Sequence, residues 1–298
     1  MNTSSTRALA TTLAVTACAV VLPSAATAKP KPVPPTITYA GSGSTAAYPI
    51  VQPLFDYYSA KVDKYTQFTY NANGGNKGVA DVKNGTSNFA LNARTPLPSD
   101  SPTVYIKGVA DGLCIAVNKS NRLSSITKAQ AKDIFLGTKR DWSGFPGSGL
   151  SGTIAPFGRD SAGGTYQFFR DGVLDGTTQN SVVTALQTDG AVKTAVENNP
   201  NGISYSGLGW IGGNIKALKY DNGTGLAIPC NATTVKSFRY PLSRYIWFVL
   251  PSKNGDGATP DYGTGNGLSK FINWVRTDKK AASIIAASGG VALTSVTR

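Results

Sequence analysis

The chain has 298 residues, of which 41% are hydrophobic, so it is long and apolar enough to bury a core in one large domain or two medium ones. It contains no His, which excludes Ser-His-Asp catalysis, Cys-His catalysis and every His-containing zinc site, and 3 Cys are too few for a four-thiolate metal site. The net charge of +13 predicts attraction to anions or an anionic surface, while the absence of any run of five basic residues argues against a nucleic-acid-binding arm.

The N-terminus has the pattern of an export signal. Arg7 precedes an apolar stretch over residues 8–22, and the small residues Ala26 and Ala28 fit signal-peptidase cleavage before Lys29. We therefore predict a signal peptide over residues 1–28. The mature protein is expected to be secreted or otherwise extracytoplasmic, with its positive charge favouring association with the cell wall.

Two features flank the expected cleavage site. Residues 15–18 resemble a lipobox, so a lipid anchor at Cys18 is the alternative to simple secretion. Residues 29–35, KPKPVPP, predict a stiff, extended linker. An oxidising compartment would permit Cys114 and Cys230 to pair, but the sequence leaves open whether they form a disulfide or remain buried thiols.

The remainder of the chain alternates predicted strands with predicted helices. The predicted strands cover residues 37–40, 66–70, 88–92, 112–118, 153–158, 202–205 and 244–250. The predicted helices cover residues 50–62, 79–83, 127–136, 165–173, 181–196, 268–275 and 280–287, with Ser125 expected to cap the third of them. This alternation predicts an α/β fold with a largely parallel sheet.

Three loops share one local design, in which a strand ends, a glycine-containing loop follows and a helix begins. They are residues 41–45, 73–78 and 159–165. The first N–H groups of a helix lack backbone acceptors and, with the helix dipole, attract anions. One such loop is most often a simple helix cap, and none of the three is a Walker A loop. Three together, with Arg159 leading the last, favour an anion-binding site.

Six segments carry a resemblance to a known family. They are residues 41–45 (GSGST), 88–97 (NFALNARTPL), 133–142 (DIFLGTKRDW), 159–169 (RDSAGGTYQFF), 201–205 (NGISY) and 240–244 (YPLSR). In this order, from about Tyr39 to the C-terminus, the chain resembles the phosphate-binding proteins of bacterial ABC importers. That family has the type II periplasmic-binding-protein fold.

The resemblance implies an α/β fold of two lobes joined by two crossing hinge strands, with a ligand cleft between the lobes. Lobe I would comprise residues 36–110 plus 242–298, and lobe II residues 111–241. The hinges would lie at residues 109–111 and 239–244. The lobes would close over the ligand.

The resemblance also implies a ligand-binding set without catalytic residues, metal or cofactor. It comprises Ser44, Thr45, Ala46, Gly75, Asn76, Arg94, Arg159, Gly163, Gly164 and Thr165. Arg159 would pair with the anion, Thr45 would offer its N–H and hydroxyl, and Ala46 its N–H alone. Gly75 and Gly163 stand where the family has Ser, with Asn76 available to replace the first of these hydroxyls.

One departure from the family concerns an Asp that accepts a proton from bound hydrogen phosphate. The aligned residues here are Ala93 and Arg94, so the filter against sulfate is absent. Arg94 would instead add a donor fork suited to oxyanions. The alternative is that Arg94 faces solvent or pairs with Asp100.

These observations predict an extracytoplasmic solute-binding protein for a small oxyanion, with inorganic phosphate favoured, acting as a monomer with a membrane ABC permease. Nucleic acid is not an expected partner. Enzymatic activity is not expected either, because the Ser-x-x-Lys string at residues 125–128 lacks its Lys-Thr-Gly and Ser-Asp-Asn partners. The alternative is a secreted or wall-associated interaction protein or anion scavenger on the same fold, not coupled to transport.

Overall fold

The computed structural model describes residues 1–4 and 33–296. The predicted export segment, its cleavage motif, the lipobox and most of the linker fall on residues 5–32, outside the described residues. Pro35–Arg298 forms a single compact unit. Within the described part of the chain, no helix combines the length and apolar character needed to cross a bilayer.

Twelve strands and eight α-helices are found in the described residues. The strands are β1 (Ile37–Gly43), β2 (Thr66–Asn71), β3 (Phe89–Asn92), β4 (Val104–Asn118), β5 (Ser125–Thr127), β6 (Ala155–Arg159), β7 (Thr184–Leu186), β8 (Gly202–Gly207), β9 (Ile215–Ala217), β10 (Lys219–Asp221), β11 (Ser243–Leu250) and β12 (Val291–Ala292). The helices are α1 (Tyr48–Tyr57), α2 (Gly75–Lys83), α3 (Lys128–Phe135), α4 (Gly164–Gly172), α5 (Asp189–Glu197), α6 (Ala232–Lys236), α7 (Gly267–Thr277) and α8 (Lys279–Ala287). A π-helical turn, Tyr58–Val62, continues α1.

The main sheet is mixed rather than largely parallel. Its order is β2-β1-β3-β11-β4-β8-β6-β7, with β9 and β12 also paired to β4. The pairs on each side of the centre, β1 with β2 and β3, and β6 with β7 and β8, are parallel, as the alternation of strands and helices predicted. At the centre, however, β11 runs antiparallel to β3 and β4, and β4 runs antiparallel to β8.

Two large apolar clusters pack against this sheet. The first joins β1, α1 and α7 through side chains such as Leu54 and Phe271, and the second joins α3, α4 and β8 through side chains such as Phe135 and Phe169. Burying each of these four side chains stabilises the fold by about 1.5–3 kcal/mol. Strand β4 contributes to both clusters, because Val109 belongs to the first and Ala110 to the second.

Three local predictions need correction. The helix predicted over residues 181–196 is wrong in its first half, which contains β7, and α5 starts only after Thr188, whose Oγ1 accepts a hydrogen bond from the Ala191 N–H at 3.0 Å. Ser125 lies in β5, and Thr127 caps α3 through a capping box with Gln130. Helix α2 begins four residues earlier than residue 79, within the glycine-containing loop.

Cys114 and Cys230 form a disulfide in the structure, with a Cα–Cα distance of 5.6 Å. The bond ties β4 to the segment that leads into α6. It closes a loop that spans a sequence separation of 116 residues. A loop of this length corresponds to a stabilisation of about 4.7 kcal/mol in the chain-entropy model.

Candidate functional site

The three glycine-containing loops follow β1, β2 and β6, and the structure brings them together. The Gly74 N–H donates to the Gly43 carbonyl at 2.8 Å, which joins the loop before α2 to the end of β1. The Asn76 N–H donates to the Ala162 carbonyl at 3.2 Å, which joins the same loop to the loop before α4. Segments far apart in sequence therefore meet at one place.

Asn92, at the end of β3, lies at this meeting point and is fully buried. Its Nδ2 donates to the Gly75 carbonyl at 3.3 Å, whereas its Oδ1 has no hydrogen-bond donor among the described residues. A Cβ atom on Gly75 would lie 2.5 Å from Oδ1, and one on Gly164 would lie 2.4 Å from it. Only glycine at both positions permits this approach. The Asn92 acceptor was not predicted, because its burial and missing donor are visible only in three dimensions.

Backbone donors are available at the starts of α2 and α4 and in the loop after β1. No side chain caps α2 or α4, which begin at Gly75 and Gly164. For Thr45, Ala46 and Thr165, as for these two glycines, no protein acceptor of the main-chain N–H is found within residues 33–296. Amides at helix N-termini carry partial positive charge and suit an anion. Five of the predicted ligand-binding residues therefore retain free backbone donors.

Arg159 ends β6 and is 1% exposed. Its Nε donates to the Leu186 carbonyl at 3.1 Å, and its Nη2 donates to the Gln187 carbonyl. Its Nη1 donates to the Thr45 hydroxyl and to the carboxylate of Asp189. The guanidinium thus has a fixed direction, and the buried Asp189 balances its charge.

Thr45 completes this cluster from the first loop. Its hydroxyl donates to Asp189 Oδ2 at 2.6 Å and accepts from Arg159. The loop after β1 is therefore bonded to the last residue of β6 and to the first residue of α5. Asp189 was not among the predicted site residues. The Thr-Asp pair at residues 188–189 gave a helix-capping pattern, but nothing in the sequence linked it to Arg159.

A family comparison agrees with this arrangement. Residues 28–279 match the model of the PBP superfamily domain. The chain belongs to the PBP superfamily. A relative from Staphylococcus epidermidis, named phosphate-binding protein PstS, is 27% identical over 255 residues, covering 82% of this chain and 75% of the relative.

Solved structures show how far the fold of this PBP-superfamily chain is shared. A Clostridium perfringens protein, assigned as a phosphate ABC transporter substrate-binding protein and solved with bound phosphate, superposes with a TM-score of 0.75 at 19% identity, covering 86% of this chain and 99% of the other. An ABC-type phosphate transport receptor from Vibrio cholerae gives a TM-score of 0.64 at 21% identity, covering 85% and 99%. The family resemblance and the type II periplasmic-binding-protein fold predicted from the sequence are confirmed.

Three other predicted residues hold the loops of this PBP-superfamily site in place. The Ser44 hydroxyl accepts from the Ala47 N–H at 3.3 Å, and the Gly163 N–H donates to the Asp160 carbonyl at 3.1 Å. The Asn76 side chain donates to the Ser161 carbonyl at 3.3 Å. Asn76 and Gly163 therefore use these donors within the protein and shape the site, whereas the Ser44 hydroxyl only accepts in its contact.

For Arg94, the structure shows the second of the two alternatives given by the sequence. Its Nη1 and Nη2 donate to the two carboxylate oxygens of Asp100 at 2.7 and 2.8 Å, and its Nε donates to Asn76 Oδ1 at 2.7 Å. Burial raises the pKa of Asp100, but hydrogen bonds from Arg94 and the Leu97 N–H outweigh it and hold the pKa below its usual value. Through Asn76, Arg94 is bonded to the first turn of α2.

Proposed function

We propose that this chain is an extracytoplasmic solute-binding protein that captures inorganic phosphate and delivers it to an ABC importer. The observation that carries the proposal is the buried Asn92 Oδ1, an acceptor without a donor, set between two helix N-termini that offer free N–H groups. The names of the Staphylococcus epidermidis relative and of the Clostridium perfringens and Vibrio cholerae structures support the same ligand.

The donor set fits a small oxyanion bound without covalent chemistry. Free amides at residues 45, 46, 75, 164 and 165 would each meet an oxygen of the ligand. Arg159 would supply the cation, because charge-assisted bonds from a buried guanidinium are roughly twice as strong as neutral ones. We therefore assign the chain a binding role rather than a catalytic one.

Asn92 supplies the argument for phosphate over sulfate. Phosphate keeps at least one proton at neutral pH and can donate that proton to Asn92 Oδ1, whereas fully ionised sulfate cannot donate. An unsatisfied buried acceptor costs about 1–3 kcal/mol, which corresponds to roughly 5- to 150-fold in affinity. The Asn92 amide oxygen would thus accept the hydrogen bond of the phosphate proton in place of the family's Asp carboxylate, which this chain lacks at residues 93–94.

Access to the site requires motion, because the loops before α2 and α4 are hydrogen-bonded to each other. We propose that residues 36–110 plus 242–298 and residues 111–241 separate as two lobes. The hinges would lie at residues 109–111, where β4 passes from the first apolar cluster to the second, and at residues 239–244. The domain division is part of this proposal. So is the predicted ligand-binding set, in which Asn76, Arg94 and Gly163 would position the loops and the other seven residues would contact the anion.

The cellular setting is proposed on the sequence pattern. Export would use the signal peptide of residues 1–28, and the mature chain would act as a monomer, secreted or retained at the cell wall. A lipid anchor at Cys18 is the alternative. The net charge of +13 favours the approach of anions, and delivery would require an ABC permease in the membrane.

The test is calorimetric titration of the dialysed full-length chain with phosphate and, in parallel, with sulfate. We expect phosphate to bind at least about tenfold more tightly than sulfate. Asn92→Leu should reduce this ratio, because it removes the acceptor while keeping a similar volume. Equal affinities in the unchanged chain would overturn phosphate as the assigned ligand. No binding of either anion would favour the secreted interaction protein instead.

A further inference from the structure

A second buried arginine lies beside the proposed phosphate site. Arg244 on β11 stands directly opposite Asp111 on β4, where the two central strands pair. Its Nε donates to Asp111 Oδ2 at 2.9 Å, while the Leu208 N–H donates to Oδ1 of the same carboxylate at 3.1 Å. Arg244 is 4% exposed and Asp111 is 0% exposed.

The guanidinium of Arg244 contacts one of the predicted ligand-binding residues, Thr165, and lies near a second, Ala46. Its Nη1 donates to the Thr165 hydroxyl at 3.3 Å, in the first turn of α4. Its Nη2 lies 3.5 Å from the point where a Cβ of Gly207 would stand, and that point is also 3.5 Å from the Ala46 Cβ. Arg244 therefore lies between the loop that precedes α1 and the N-terminus of α4.

One end of this guanidinium makes an ion-pair contact but no hydrogen bond. Nη2 is 2.9 Å from Asp111 Oδ2, but this contact does not have hydrogen-bonding geometry, and no other acceptor meets Nη2 among the described residues. A buried N–H without an acceptor is unfavourable, more so when the group is charged. The same guanidinium contacts the Thr165 hydroxyl through Nη1, and the main-chain N–H groups of Thr165 and Ala46 have no protein acceptor among the described residues. All of these donors would be satisfied by one oxyanion.

We propose that Arg244 is a second guanidinium contact for the bound oxyanion, oriented by Asp111 and placed between Ala46 and Thr165. This inference rests on the proposed phosphate-binding function. Arg159 and Arg244 would then contact the anion from β6 and β11, each held by its own buried aspartate. Since β11 is one of the two strands that connect the proposed lobes, ligand contact and lobe closure would involve the same residue.

The experiment compares Arg244→Gln with the double variant Asp111→Asn plus Arg244→Gln, each in the full-length chain. The single variant leaves the buried Asp111 carboxylate unpaired and can lose stability for that reason alone. The double variant replaces the ion pair by two amides that can bond to each other, so it separates pairing from anion contact. Arg244→Lys keeps a cation without the fork. Exposed Arg276→Gln is the matched control.

Phosphate dissociation constants are measured by calorimetry above and below the second ionisation of phosphate, with circular dichroism to verify folding. We expect the double variant to bind phosphate at least about tenfold more weakly, with a larger loss for the dianion than for the monoanion, because one cation is missing. Arg244→Lys should be intermediate and retain the preference for the dianion. Arg276→Gln should bind like the unchanged chain.

The inference is overturned if the double variant folds and binds phosphate like the unchanged chain, because Arg244 would then serve only to pair with Asp111. If the double variant does not fold, the Arg244→Lys variant tests the inference. Undiminished binding of both the monoanion and the dianion by this variant would exclude a directional contact by the Arg244 guanidinium. Failure of the unchanged chain to bind phosphate would overturn the proposed function itself. That result can be told apart from failure of the inference, in which both the unchanged chain and the double variant bind phosphate.

Discussion

Arg94 and Arg159 are both buried and both bonded to an aspartate, yet they have different positions in the molecule. Arg94 pairs with Asp100, six residues further along the chain, and braces one loop through Asn76. Arg159 pairs with Asp189, thirty residues away, and also bonds to Thr45, 114 residues away. The first pair stabilises a turn, whereas the second connects loops that follow different strands.

The difference shows that a buried arginine is not by itself evidence of ligand contact. Both arginines follow strands in segments that resemble the same family, so motif position did not separate them. The hydrogen-bonded carboxylate did, because Arg94 bonds to Asp100 in its own loop, whereas Arg159 bonds to Asp189 at the start of α5. Four experiments sharpen the comparison. The first three are given in order of decreasing effect on phosphate binding, and the fourth concerns stability in acid.

The largest effect is expected for Arg159→Ala, which removes the cation that connects Thr45 and Asp189. Losing one partner of a buried charge pair costs about 2–5 kcal/mol, so phosphate affinity should fall on the order of 100-fold or more. Calorimetry measures the loss. The phosphate affinity of Arg159→Lys should lie between those of the unchanged chain and Arg159→Ala. As the control, Arg170→Ala, at a half-buried arginine, should bind phosphate like the unchanged chain. Normal binding by Arg159→Ala would remove the distinction between the two arginines.

A smaller effect is expected for Gly164→Ala, at the first turn of α4. The added Cβ would stand 2.4 Å from Asn92 Oδ1, so the helix start or the amide must shift. We expect phosphate affinity to fall about tenfold, which corresponds to about 1.4 kcal/mol. Gly172→Ala, at the other end of α4, is the matched control because its Cβ meets only Leu242 Cδ2 at 3.4 Å. Equal affinities for the two variants would contradict the close approach at Asn92.

Arg94→Gln should change phosphate affinity by less than about threefold while lowering the free energy of unfolding by about 3 kcal/mol, because Asp100 loses its buried partner. Urea unfolding and calorimetry on the same sample separate the two effects. For the Arg159 variants we expect the reverse, with the larger change in phosphate affinity. A loss of affinity for Arg94→Gln as large as for Arg159→Ala would return Arg94 to the ligand-contacting set.

The smallest effect is expected at acid pH, where the Arg94–Asp100 ion pair contributes less to the free energy of unfolding. The pKa of Asp100 is lowered in the folded chain, so its ion pair contributes stability above the unfolded-state pKa of about 3.9 and loses that contribution as pH falls through the folded value. The difference in unfolding free energy between the unchanged chain and Asp100→Asn should therefore be constant above about pH 5 and shrink below about pH 4. Denaturant titrations across this range measure it. A difference that grows in acid would contradict the lowered pKa.

The sequence by itself determined the family, the fold class and most element positions, because these depend on local pattern. Apolar residues at helical spacing placed α1, α3 and α7, and a glycine-containing loop marked the start of α4, whereas α2 begins four residues earlier than predicted. The long central strands were also recognisable, although β4 begins eight residues before the predicted strand over 112–118. Where two element types compete locally, as at residues 181–196, the pattern was insufficient.

Only the tertiary structure decided which polar groups meet. Asn92, Asp189 and Arg244 look like ordinary strand-end, helix-start and strand residues in the sequence. Their importance arises from burial and from partners more than 15 residues away, such as Gly75 for Asn92 and Asp111 for Arg244. Hydrogen bonding is directional and short in range, so its partners are fixed only once β3, β4, β6 and β11 take their places in one sheet. Hydrophobic periodicity specifies the helices and strands, but it does not specify which polar side chains come into contact.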